Sequence, residues 1–85
     1  MSNRLPSHLD RELSGFLKRE MQAHGWSYAE MGRQAGIDGS TIHRIISGEH
    51  LATLWLVAQI MRSLKKDIRD VFPSAVEKSA SRKHA

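Results

Sequence analysis

Five histidines (His8, His24, His43, His50 and His84), with serines and aspartates but no cysteine, are the residues of this chain that could do covalent or metal chemistry. Their spacing argues against it. No two histidines stand four apart on one helix face, and with no cysteine there is no thiolate ligand or nucleophile. Ser, His and Asp all occur, yet no nucleophile elbow frames a serine, and 85 residues leave little room for a deep pocket. No metal, no cofactor and no catalysis are expected. Recognition chemistry is better served by "GSTIHR", residues 39–44. Two small hydroxyl side chains follow a glycine there, and an imidazole and a guanidinium lie one turn on. Small residues let a backbone come close to a partner, and Arg44 carries the paired donors that suit a guanine edge.

Five helical segments must position these groups, and no run alternates with period two as a strand would. The first, Leu9 to His24, carries Leu9, Leu13, Phe16, Leu17 and Met21 on one stripe, with Ser7 as expected N-cap and Gly25 as stop. The second opens on "WSYAEM", where Ser27 and Glu30 have capping-box spacing and Trp26 and Met31 form a hydrophobic staple. It ends at Gly36. The third opens on "IDGSTI", with Asp38 as cap and Ile37 and Ile42 as staple, and stops at Gly48. Each of these two is too short to be stable alone. Two capped, stapled starts this close together define a tight corner, with Gly32 and Ala35 expected at the crossing. The fourth segment, Thr53 to Lys65, places Leu54, Val57, Ile60, Met61 and Leu64 on one side, and the fifth is "DIRDVF", capped by Asp67.

A net charge of +4 and a pI near 10 suit a nucleic-acid partner. Lys78, Arg82 and Lys83 against Glu77 put half of that excess after Pro73. No stretch is long and apolar enough for a membrane span or a signal core, so a cytoplasmic protein is expected. The expected organisation is a flexible extension over 1–6, one helical domain over 7–73, and a disordered basic tail over 74–85.

A corner of two short helices with small polar residues opening the second is the geometry that places a helix in the DNA major groove. The stretch "GWSYAEMGRQAGIDGSTIHRIISG" resembles, without a gap, the pattern "G-L-T-Q-E-E-L-A-x-x-x-G-V-S-x-S-T-I-S-R-I-E-x-G" of the Cro and phage-repressor (Xre) helix-turn-helix family. The likeness continues to "LKKDIRDVF", which stands where the family has "L-G-V-S-L-D-E-L-F". It implies an all-α fold, a compact five-helix bundle of the lambda-repressor-like type, in a bacterial or phage-encoded protein.

The resemblance also implies base-reading positions at Gly39, Ser40 and Arg44, with His43 beside them. Phosphate contacts are implied at Ser27 and Tyr28 and in the loop after Gly48, where His50 lies; Arg33 and Thr41 are further candidates. Three positions depart from the pattern: Tyr28 replaces a glutamine, Glu49 stands where a basic residue is frequent, and Gly39 removes a side chain from a reading position. Leu51, Trp55, Val71 and Phe72 are the expected dimer or partner surface, although Trp55 could also be buried against the first helix. The expected function is sequence-specific regulation of transcription, as a repressor acting as a homodimer on double-stranded DNA. The alternative is an antitoxin-like protein that neutralises a toxin-like protein partner and binds its own operator secondarily.

Overall fold

Capping chemistry and apolar spacing set where each helix begins in the computed structural model, which describes residues 5–49 and 52–74. The helices are α1 (Ser7–His24), α2 (Tyr28–Ala35), α3 (Gly39–Ser47), α4 (Leu54–Leu64) and α5 (Ile68–Val71). All five follow the expected order. The Ser27 hydroxyl caps α2 by accepting the Glu30 N–H at 3.2 Å, and Thr53 Oγ1 does the same for Leu56 of α4.

Three starts differ from expectation; at α3 Asp38 stands at the N-cap position, but its side chain makes no capping hydrogen bond. Pro6, not Ser7, is the N-cap of α1, and its carbonyl accepts the N–H groups of Leu9 and Asp10. Leu5 just before it is buried in the core and donates its N–H to the Ala52 carbonyl. Leu5 and Pro6 therefore belong to the fold and not to a flexible extension. At α2 the box is half made, because Glu30 turns its carboxylate to Arg33 and Gln34 of its own helix. A complete capping box forms instead at α5, between Asp67 and Asp70.

The core gathers Leu13, Phe16 and Leu17 of α1, Met31 and Ala35 of α2, Ile42 and Ile45 of α3, Val57 and Ile60 of α4, and Val71 with Phe72. Burying one such large side chain contributes about 1.5–3 kcal/mol. On α4 the buried stripe is shifted from the expected one: Leu56 packs against the core and Leu54 is exposed. Leu54 is the first helical residue, whereas Leu56 lies beside Gly32 and Gly36, and Gln59 and Ser63 lie against Gly36.

The corner between α2 and α3 is closed by glycine. A Cβ on Gly32 would lie 2.5 Å from the Ile37 carbonyl oxygen and 2.7 Å from the Gly39 nitrogen. Ala35 is fully buried beside it. Between the helices Gly36 takes the left-handed conformation, φ 77°. The Ser14 hydroxyl then ties α1 to the end of α3 by donating to the Ile46 carbonyl at 3.3 Å. Two residues earlier on α1, the Glu12 carboxylate accepts both the N–H and the hydroxyl of Ser74. Ser74, expected in the tail, is thus bonded to α1; the rest of that tail lies outside the described residues.

Candidate nucleic-acid interface

The start of α2 and the outer face of α3 meet in a shallow concavity of about 590 Å³ lined by Tyr28, Ala29, Gly39, Ser40, His43, Arg44 and Glu49. Helical periodicity explains the set. Residues 40, 43 and 44 fall on one side of α3, opposite Ile42 and Ile45 in the core. Ser40, His43 and Arg44 are all exposed, as is Tyr28 across the crossing. The rings of Tyr28 and His43 meet edge to face with centroids 4.9 Å apart, so the two helices present one continuous polar surface. Its donors are a phenol, an imidazole, a hydroxyl and a guanidinium, and the exposed Glu49 carboxylate lines the same concavity as an acceptor only. Such a set can donate hydrogen bonds to phosphate oxygens and to base edges.

Gly39 has a different role from the one expected. A Cβ there would lie 2.9 Å from both the Ala29 Cα and the Tyr28 carbonyl oxygen. The missing side chain would point into α2, not at a partner, so Gly39 sets the helix crossing. Thr41 is also placed differently. It is half-buried on the other flank of α3, in a second open concavity with Arg33, Gly36, Ile37, Asp38 and Leu56.

Arg33 is exposed but occupied. Its Nη2 lies 2.7 and 3.0 Å from the two Glu30 carboxylate oxygens, and Gln34 donates to the same carboxylate at 2.8 Å. The Gln34 hydrogen bond first, and then the Arg33 hydrogen bond and charge, hold the Glu30 carboxyl below the usual carboxylate range. The Ser27 hydroxyl oxygen is engaged as the α2 cap, which leaves its O–H free to donate.

His50 and Leu51 lie outside the described residues. Val71 and Phe72 are corrected outright. They are 0% and 3% exposed, because the short α5 lies against α1 and turns both side chains inward. They form core and not a dimer or partner surface. Trp55, by contrast, is 69% exposed, next to Leu54 at 59%. Ala29 was not singled out by sequence. Its signal was its small size one residue after Tyr28, which lets α3 approach the α2 backbone.

Among the described residues no three His, Asp or Glu side chains gather as metal ligands would. No described helix is long and apolar enough to cross a membrane. A family model described as a helix-turn-helix domain matches residues 12–67, which takes in the whole of α2, α3 and α4. No curated protein and no solved structure matches the chain. With more than half of its length under that match and the α2–α3 corner closed by Gly32 and Gly39, the chain belongs to the helix-turn-helix domain family, a DNA-binding fold.

Proposed function

We propose that the protein is a transcriptional regulator, a repressor, that binds operator DNA as a two-fold homodimer with α3 in the major groove. The observation that carries this reading is the single exposed row of Ser40, His43 and Arg44 beside Tyr28. In this reading Arg44 and Ser40 reach base edges, His43 lies beside them, and Tyr28 donates to a phosphate at the start of α2. Ser27 supports the same phosphate. Arg33 and Thr41 are peripheral, and Arg33 reaches a backbone phosphate only if Glu30 releases its guanidinium. Such a protein works in the cytoplasm.

Fluorescence anisotropy on the DNA upstream of the protein's own gene tests this. Arg44→Ala should cost about 1–3 kcal/mol on the specific site and much less on random duplex. Tyr28→Phe should weaken both by similar, smaller amounts, since a phosphate carries no sequence information. An Arg44→Ala variant with unchanged affinity for both would overturn the reading.

The exposed pair Leu54 and Trp55 favours a protein contact at the start of α4, as the dimer surface or, in the antitoxin-like reading, as the seat of a toxin-like partner. Trp55→Lys should leave the melting temperature unchanged, because the side chain is outside the core. In sedimentation at micromolar concentration it should shift a dimer toward monomer. A wild-type protein that stays monomeric, on DNA as well as off it, would remove the dimer and leave the protein-partner reading.

A further inference from the structure

Among the described residues, the positive surplus lies outside the helix-turn-helix corner. Residues 25–49 hold two cations, Arg33 and Arg44, against three acids, Glu30, Asp38 and Glu49, for a net charge of −1. One of those cations is already bound by Glu30. Residues 5–24 are balanced, with Arg11, Lys18 and Arg19 against Asp10, Glu12 and Glu20. Residues 52–74 hold Arg62, Lys65, Lys66 and Arg69 against Asp67 and Asp70, for a net charge of +2. Among the described residues, the positive surplus therefore sits at the corner between α4 and α5.

Three features make that corner a cationic surface. Arg62, Lys65 and Arg69 are exposed and Lys66 is partly so, and none of the four makes an ion pair among the described residues. The two local acids are turned to the backbone. Asp67 accepts the N–H groups of Arg69 and Asp70, while Asp70 accepts the N–H of Asp67. Finally, Lys65 is the one non-glycine residue with positive φ among the described residues, at 57°. Glycine would adopt that conformation without a Cβ penalty, so the lysine is kept there at a local cost.

We propose that the α4–α5 corner is a second, sequence-independent contact for the phosphate backbone of duplex DNA. The proposal rests on the DNA-binding reading above and extends it. Affinity for a duplex comes largely from cations that displace its counterions, and the α3 face offers Arg44 as its one cation outside an ion pair among the described residues. The corner supplies what that face lacks. Its place also matters: Gly36 at the end of α2 lies against Gln59 and Ser63 of α4, whereas Tyr28 opens α2 about 12 Å away. The corner thus meets backbone remote from the Tyr28 phosphate, either on the flank of the same duplex or on a second one.

The test compares the full chain with Lys65→Gln/Lys66→Gln and with Lys65→Gly, on the upstream DNA and on a long random-sequence duplex, across a salt series. The slope of log K against log salt should become shallower by about 0.9 for each phosphate that the variant no longer neutralises, and affinity should fall several-fold on both duplexes alike. Lys65→Gly should melt higher than wild type and still bind less tightly, which no loss of folding can imitate. On a duplex trimmed to the specific site, disappearance of the effect assigns the contact to the flank. Persistence of the effect, with two duplexes per protein, assigns it to a second duplex. Unchanged slopes and affinities in both variants, while Arg44→Ala still loses the specific site, would overturn the corner contact and leave the α3 reading intact. A wild-type protein that binds no duplex would sink both.

Discussion

The corner between α2 and α3 and the corner between α4 and α5 reverse the chain with the same backbone conformation. Gly36 has φ 77° and Lys65 has φ 57°. Their surroundings are opposite. A Cβ on Gly36 would come within 2.5 Å of the Gln59 side chain, and one on Gly32 would meet backbone at the same distance. At Lys65 an entire side chain is accommodated, exposed to solvent. The first corner is thus fixed by what packs against it, and the second by hydrogen bonds within its own turn, from the Lys65 and Lys66 N–H groups to the end of α4 and between Asp67 and Asp70. A corner of the first kind can hold two helices at the angle a groove requires, at the expense of nearly all freedom in sequence. A corner of the second kind is free to carry charge.

The largest test of this contrast is at Gly32. Gly32→Ala places a methyl group against the Ile37 carbonyl and the Gly39 nitrogen, and neither can rotate away as a side chain would. Overpacking there should cost about 3 kcal/mol, read as a lower denaturation midpoint with unchanged slope. A variant that unfolds like the parent would mean that the corner opens easily, and the contrast with Lys65 would vanish. Gly36→Ala should cost less, about 1–2 kcal/mol. It suffers the left-handed penalty, but its close neighbour is the end of a flexible Gln59 that can swing aside. If Gly36→Ala proves the costlier of the two, dihedral strain and not backbone contact governs the first corner.

The same contrast explains what could be read from sequence. Helix positions were legible because caps and staples act within a few residues: Ser27, Thr53 and Asp67 all accept the backbone N–H groups that their spacing implied. The exposed row of Ser40, His43 and Arg44 was legible for a related reason, since Ile42 and Ile45 fix which side of α3 faces inward. Gly39 was misassigned because the direction of an absent Cβ depends on the crossing of two helices, which no local pattern encodes. Val71 and Phe72 were misplaced because α5 has four residues, too few for periodicity to show its inner face. Leu56 takes the inward place expected of Leu54, beside Gly32 and Gly36 of the first corner, a neighbourhood that spacing within α4 does not encode. Glu30 failed to complete its box because Arg33 and Gln34, one turn on, compete for the same carboxylate.

The smallest expected effect has the opposite sign from the others and separates strain from charge at the second corner. Lys65→Gly removes the Cβ that disfavours positive φ, and the gain is partly offset by the greater freedom of glycine in the unfolded chain. The net should be a stabilisation of roughly 0.5–1 kcal/mol, seen as a rise of a few degrees in Tm. Lys65→Ala keeps the Cβ and loses only the ammonium group. Because Lys65 is exposed and makes no ion pair among the described residues, that variant should melt within a degree or so of wild type. Should Lys65→Ala gain as much as Lys65→Gly, the cost would lie in repulsion among Arg62, Lys66 and Arg69 and not in the backbone. That outcome would raise added salt to the same rank as the glycine, since screening relieves repulsion and leaves a dihedral untouched. Melting both variants at low and high salt decides between the two causes.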